Sequence, residues 1–238
     1  MTQRPLTMLD QVGSTNDEAL SLGRAGAAHG TAVAARRQSA GRGRRGHVWE
    51  SPEGNLYLSV VLRPEVTPAR VMGLAAACGL GVTDVLRGAS LKWPNDVLAH
   101  GRKLAGILVE TARDRDDRLF AVCGVGVNVR RAPRGLEAIS LAELGEVPDL
   151  PELAEALRDG ISERVSAWAT ARGDWPLDGI RDDYLARLAW LGEEVRVLAN
   201  DGKTLLAYGT LETVDPWGRA VVEGVAYAAE LSSLRPLD

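Results

Sequence analysis

The sequence predicts an α+β protein, a mixed sheet with flanking helices followed by a small β-barrel. Three observations carry that prediction. Strand-like alternation and helix-like apolar stripes take turns from residue 14 to residue 188, the pattern of helices packed on a sheet. After Leu191-Gly192 the helical stripes stop, and short strands with turn chemistry take over, as in small barrels. No internal repeat or low-complexity segment competes with this reading. The boundary falls near residue 190, giving a larger domain over 1–189 and a smaller one over 190–238.

Ser14-Thr15-Asn16 starts a short helix over 16–25, with Asp17 and Glu18 in its first turn, where carboxylates suit the helix dipole. Residues 29–37 read as a strand. Over 55–63 the residues alternate, Leu56, Leu58, Val60 and Leu62 facing one way and Tyr57, Ser59 and Val61 the other. Thr67-Pro68 reads as an N-cap followed by proline at the first helical position. The helix is therefore expected to run to about Leu86, burying Val71, Leu74, Ala75, Cys78, Val82 and Val85. Strands follow at 91–93, 97–99 and 103–113, separated by a Trp93-Pro94-Asn95-Asp96 turn and a His100-Gly101-Arg102 turn. The charged tip 114–118 returns into 119–129 as a β-hairpin. Helices are expected at 151–171, opening on Pro151, and at 178–188. In the smaller domain the strands are 193–199, 203–214, 219–223 and one near 226–231.

The chain has 238 residues, 45% of them hydrophobic, with no apolar run approaching the ~20 residues of a membrane helix. Its first residues carry neither the apolar core of a signal peptide nor the character of a transit peptide, which places the protein in the cytoplasm. A net charge of -4 offers no general attraction to nucleic acid or to an anionic membrane. Cys78 and Cys123 lack metal-ligand spacing and His29, His47 and His100 are scattered, so buried reduced thiols are expected.

Gly41-Arg42-Gly43-Arg44-Arg45-Gly46 matches the glycine fingerprint of dinucleotide-binding turns, but that fingerprint requires a helix after its last glycine. Here Pro52 and Gly54 interrupt any helix before the alternating strand begins. The loop instead hangs between two core strands, bounded by Gln38 and Trp49, and three guanidiniums there suit a cover over an anionic ligand. A solvated RG-type nucleic-acid contact is the alternative from another class, and the acidic balance argues against it. In the second motif region, Pro94 turns the chain so that Lys92, Asn95 and Asp96 gather at one strand end, with Lys103 opening the strand that returns. Lysine is rare, occurring only at Lys92, Lys103 and Lys203. Ala105-Gly106 and Gly124-Val125-Gly126-Val127-Asn128 add small-residue strand surfaces where a ligand can approach the backbone.

Taken together, Ser14-Thr15-Asn16, Gln38 with the arginine loop and Trp49, the 92–96 and 103–110 segments and Gly124 to Asn128 resemble the biotin protein ligases in order and spacing. The resemblance covers nearly the whole chain. It implies the class II synthetase-like catalytic domain shared by biotin and lipoate ligases, followed by an SH3-like barrel. It also implies a two-step activity using ATP and Mg²⁺: biotin becomes biotinyl-5'-AMP, then passes to a lysine of the biotin carboxyl carrier protein of acetyl-CoA carboxylase. Lys103 would then stand between the biotin carboxylate and the α-phosphate, with Arg42, Arg44 and Asp96 as the other catalytic groups. Ser14, Thr15, Asn16, Gln38, Gly41, Arg42, Gly43, Arg44, Lys103, Gly106 and Gly124 would bind biotin, the glycines letting its rings lie on the sheet. Arg42, Arg44, Arg45, Trp49, Lys92, Asn95, Asp96 and Asn128 would serve the nucleotide; the sequence does not say which group deprotonates the acceptor lysine, and Asp96 is one candidate. Metal ligands are not assigned. Glu137-Ala138 precedes Ile139-Ser140-Leu141, where some members carry an adenine-stacking tryptophan. Ser14 lies too near the start for the operator-binding domain of some members, so neither repressor function nor nucleic-acid binding is expected; a homodimer is compatible with the pattern. A lipoate or octanoate ligase is the neighbouring alternative, and the arginine loop and the 93–96 turn favour biotin.

Overall fold

A seven-stranded mixed sheet forms the base of the larger unit in the computed structural model, which describes residues 4–133 and 137–237. Its strands are β1 (Leu6–Leu9), β2 (Ala32–Ala35), β3 (Leu56–Leu62), β4 (Ser90–Lys92), β5 (Asp96–Ala99), β6 (Arg102–Arg113) and β7 (Leu119–Val127). Their spatial order is β1-β2-β3-β7-β6-β5-β4; only β1 and β2 run parallel. The helices are α1 (Thr15–Arg24), α2 (Leu74–Val85), α3 (Leu150–Thr170) and the short α4 (Arg181–Ala186).

Strand β3 shows why the alternation read from the sequence is correct about faces yet silent about exposure. Leu56, Leu58, Val60 and Leu62 join the main core with α2 and α3, while Val61 joins a second core with Ala19 and Leu20 of α1 and Phe120 and Val122 of β7. All seven residues are buried because helices cover both sheet faces. Helix α2 is likewise buried almost all round, from Ala77 to Thr83. It crosses α3 so closely that a Cβ on Gly81 would meet Ile161 backbone atoms at 2.6–2.8 Å.

Three boundaries differ from expectation. The helix expected from Thr67 opens as a 3₁₀ turn over Arg70–Gly73, and α2 begins only at Leu74. The Pro176 carbonyl crowds the Gly73 backbone, and Thr67 caps no helix. Of the helix expected over 178–188, only Arg181–Ala186 is α-helical. Of the last strand expected near 226–231 only Val225–Tyr227 is a strand, because the chain then turns, the Leu231 amide donating back to the Ala228 carbonyl at 3.1 Å; the strands at Leu6–Leu9 and Ser232–Pro236 were not anticipated.

The second sheet contains β8 (Glu194–Ala199), β9 (Leu205–Val214), β10 (Ala220–Val222), β11 (Val225–Tyr227) and β12 (Ser232–Pro236), in the order β11-β10-β9-β8-β12. This is the SH3-like unit, antiparallel throughout. Two hydrogen bonds help join the units: Trp93 Nε1 donates to the Gly218 carbonyl at 2.9 Å and Arg181 Nε to the Val214 carbonyl at 2.8 Å. Among the described residues no helix is long and apolar enough to cross a membrane.

Candidate active site

A cavity of about 730 Å³ opens where the ends of β3, β5, β6 and β7 meet the arginine loop and the second sheet. Ser14, Thr15, Asn16, Gln38, Arg42, Gly43, Arg44, Arg45, Trp49, Lys92, Asn95, Asp96, Lys103, Gly106, Gly124 and Asn128 all line it. Gly41 does not. Its backbone is packed in the loop, where a Cβ would fall 2.5 Å from the Trp49 carbonyl and 3.0 Å from Gln38 Nε2, so a direct ligand contact for Gly41 is set aside.

One end of the cavity is a hydrogen-bonding cradle at the start of α1. Ser14 occupies the N-cap position with extended backbone, yet its hydroxyl makes no cap bond. The Thr15 amide and hydroxyl donate to Gln38 Oε1 at 2.8 and 3.0 Å. Gln38 Nε2 donates to Ser51 Oγ at 3.0 Å. Beneath them Ser59, fully buried on β3, lies 2.8 Å from the Thr15 hydroxyl and 2.5 Å from Asn16 Oδ1, while Asn16 Nδ2 donates to Glu110 Oε2 at 2.6 Å. A side chain held at both ends offers a fixed surface to a ligand.

The other end is cationic. Asp96 sits between Lys103 Nζ at 2.6 Å and Lys92 Nζ at 3.2 Å. Burial by itself would raise the Asp96 pKa, but Lys103 and then Lys92 outweigh it and hold the carboxyl below its ordinary value. A carboxylate so stabilised is a poor proton acceptor, which counts against Asp96 as the base for the acceptor lysine. Burial lowers the Lys92 pKa, with Asp96 opposing the shift. Lys103 Nζ also lies 5.0 Å from the centre of the Trp49 ring.

The small residues do not leave bare sheet. A Cβ on Gly124 would overlap the Asn16 carboxamide, and one on Gly126 would fall 2.5–2.8 Å from the Trp49 indole. Trp49 also covers Gly106, with its Cζ3 2.7 Å from where a Cβ would be. A ligand would therefore meet Asn16 and Trp49 where the sequence suggested glycine surface. Asn128 spends its amide donors on the Lys103 and Ile139 carbonyls, both at 3.2 Å, so its first task is to join β6 to the 137–139 segment.

In the arginine loop the guanidiniums are paired rather than splayed over empty space. Arg42 donates to Asp17 at 2.7 Å and Glu110 at 3.3 Å. Arg44 bonds Asn95 Oδ1 at 3.0 Å and the Ala229 carbonyl, and Arg45 bonds that carbonyl at 2.8 Å. Burial, then the charge of Arg45, lowers the Arg44 pKa. The loop thus rests on the second sheet with Arg44 facing the Asn95-Asp96 turn.

The model of the biotin/lipoate A/B protein ligase family matches residues 9–128. The biotin–[acetyl-CoA-carboxylase] ligase of Mycobacterium tuberculosis is 36% identical over 234 residues, 92% of this chain and 84% of that protein. This chain belongs to the family. The corresponding ligase of Paracoccus denitrificans is 34% identical over 236 residues, covering 92% of this chain and 94% of that one. Among solved structures, the Aquifex aeolicus biotin protein ligase in complex with biotin and ATP superposes with a TM-score of 0.79 at 30% identity, over 99% of this chain and 100% of that one.

Within this biotin/lipoate ligase cavity, sequence reasoning missed the walls that come from far along the chain. Asn200, Asp201, Ser233 and Arg235 of the second sheet line it, as does Trp190. Trp190 holds a left-handed backbone (φ 63) just before that sheet and sets its ring 5.9 Å from Lys92 Nζ. Ser59, Asp17 and Glu110 were read only as members of a strand, a helix turn and a motif. No local signal marks them, because their partners lie 25 to 94 residues away. Among the described residues, no three His, Cys, Asp or Glu side chains gather to hold a metal.

Proposed function

We propose that the cavity activates biotin with ATP and then passes it to a lysine of a biotin carboxyl carrier protein, the reaction named for the two relatives that align over 92% of the chain. The observation that carries this reading is the joining, in one cavity, of the Thr15, Asn16 and Gln38 cradle to the Lys92, Lys103 and Arg44 end. The first suits a neutral ureido head rich in donors and acceptors; the second suits anions. In the first step a biotin carboxylate oxygen attacks the α-phosphorus, the bond to the bridging oxygen breaks, and pyrophosphate leaves. Two anions must approach, and a cation between them lowers that barrier. Lys103, about a third exposed and bonded to Asp96, is placed to turn toward them. In the second step the neutral amine of the acceptor lysine attacks the acyl carbon, AMP leaves, and the amine loses a proton. AMP is a good leaving group, so positioning and charge neutralisation suffice for much of the catalysis.

Mg²⁺ fits this donor set in a limited way. It commonly keeps several waters and binds through one or two carboxylates together with substrate phosphates. Asp96 is the carboxylate at the cationic end, and Asn95 stands beside it. When bound, the ion would neutralise phosphate charge. Trp49 would flank the nucleotide, and Arg44 and Arg45 would keep water from the adenylate.

Mass spectrometry of the protein incubated with ATP, Mg²⁺ and, in parallel, biotin, lipoate or octanoate tests the reading. Biotinyl-AMP with biotin alone is expected. An adenylate formed only with lipoate or octanoate, or none with any acid, overturns it.

A further inference from the structure

A second hollow, of about 420 Å³, lies beside the reaction cavity. Arg36, Arg130 and Arg131 line it together with Glu53 and Asp149. It shares an end of the sheet with the reaction cavity: Arg36 precedes the cavity residue Gln38 by two positions and Arg130 follows the cavity residue Asn128 by two. The backbone that presents Arg130 and Arg131 is pinned. Asn55 Oδ1 accepts from the amides of Val129, Arg130 and Arg131 at 3.0, 3.1 and 3.2 Å, and Asn55 Nδ2 donates to the Arg131 carbonyl at 2.8 Å. Gly54, with φ 96, leaves room for the Arg130 stem, whose Cδ would lie 3.2 Å from a Cβ at that position.

Both guanidiniums are exposed, and among the described residues neither has an ion-pair or hydrogen-bond partner. Most other arginines around the site are engaged: Arg42, Arg44 and Arg45 by the contacts above, and Arg36 by Asp10 at 3.6 Å. Two unpaired cations on an anchored turn, in a chain of net charge -4, form a local positive rim at the cavity's flank.

We propose that this rim docks the acceptor protein, taking carboxylates that lie on the acceptor's surface near its target lysine. This rests on the ligase reading, which requires a folded protein substrate to reach the same end of the sheet. The interleaved acids favour a protein over a nucleic acid. Glu53 and Asp149 would repel a continuous phosphate backbone, but they complement a protein surface of mixed charge. The docking contributes to the transfer step and not to adenylation, since the hollow holds none of the groups assigned to biotin or ATP.

The test uses the full chain carrying R130E and R131E, with the biotin carboxyl carrier domain as acceptor. Pyrophosphate release with biotin and ATP reads the first step and also reports that the variant folds. Transfer to the carrier reads the second. Expected are unchanged adenylation and a kcat/KM for the carrier reduced about tenfold at low salt, a gap that closes as salt is added, while R130K with R131K keeps the wild-type rate. Unchanged transfer to the carrier overturns the proposal. So does an equal loss of both steps, which would make the hollow a support of the reaction cavity. A wild-type protein that releases no pyrophosphate with biotin instead overturns the ligase reading itself, and is told apart because the wild type is then inert.

Discussion

Replacing Asp96 with asparagine probes the electrostatic centre of the cavity. One carboxylate faces two ammonium groups there, at 2.6 Å and 3.2 Å. Lys103 has a side chain 31% exposed and can turn to water, whereas Lys92 is 8% exposed and cannot. Asparagine would leave the Lys92 ammonium buried without its counter-charge. Removing one partner of a buried pair costs about 3–5 kcal/mol. The Trp190 ring stays near Lys92 and an amide oxygen can still accept one hydrogen bond, so the lower figure, about 3 kcal/mol, is expected. In a chain of this size that is a fall of roughly 6–12 °C in Tm.

The pH dependence gives the sharper check. Asp96 has a depressed folded pKa, so its stabilisation is complete above the unfolded aspartate value near ~3.9 and fades as pH falls through the folded value. Lys92 is also depressed. Between its folded and unfolded values the unfolded chain binds more protons, so stability rises with pH in that alkaline window. Losing Asp96 lowers the Lys92 pKa further. The variant's deficit should therefore be largest near neutrality, shrink as alkali discharges Lys92, and shrink again in acid, where the wild type protonates Asp96. Urea unfolding of both proteins from about pH 3 to about pH 10 measures this. A neutral-pH deficit under about 1 kcal/mol, or one that does not change with pH, refutes the reasoning. Adding K92M to D96N should restore most of the loss, because an apolar side chain needs no partner there.

Other expectations follow from the same geometry. Lys103→Ala should slow biotin-dependent pyrophosphate release by about 10²–10³, the usual cost of losing one charge-stabilising donor; full activity would remove Lys103 from its proposed role. Arg44→Ala breaks the ties to Asn95 and Ala229, so biotinyl-AMP should appear free in solution and label bystander amines. Retention of the adenylate by that variant would show that the loop closes without this arginine. Gly124→Ala forces Asn16 from its seat, which should raise the KM for biotin at least about tenfold with much less effect on ATP; equal effects on both would argue that Asn16 serves the whole cavity.

Much of the site was legible in the sequence because its groups are carried by short, locally determined segments. Pro94 turns the chain between Lys92 and Asp96, and the start of α1 brings Thr15 and Asn16 to one place in the chain, although the bonds that orient their side chains come from Gln38, Ser59 and Glu110. The change of pattern after Gly192 likewise announced a second sheet. Periodicity misjudged the start of α2, because the crowding carbonyl at Gly73 belongs to Pro176. It missed β12, whose strand character depends on pairing with β8, more than thirty residues earlier in the chain.

By itself the sequence determined neither β1 nor β12, but it did determine the order of strands and helices between α1 and β11, the change to a second sheet near residue 190 and most of the polar and cationic residues of the cavity. These follow from side-chain alternation, turn chemistry and charge within a few residues of each other. Tertiary structure decided where those residues' bonds go. It sent Arg44 and Arg45 to the Ala229 carbonyl, Asn16 to Glu110 and Ser59, and both lysines to Asp96. It also laid Trp49 on Gly106 and Gly126 and brought Arg235 to the wall. The reason is range: backbone preference acts over a few residues, whereas hydrogen bonds, ion pairs and packing depend only on distance in space, which chain position does not reveal.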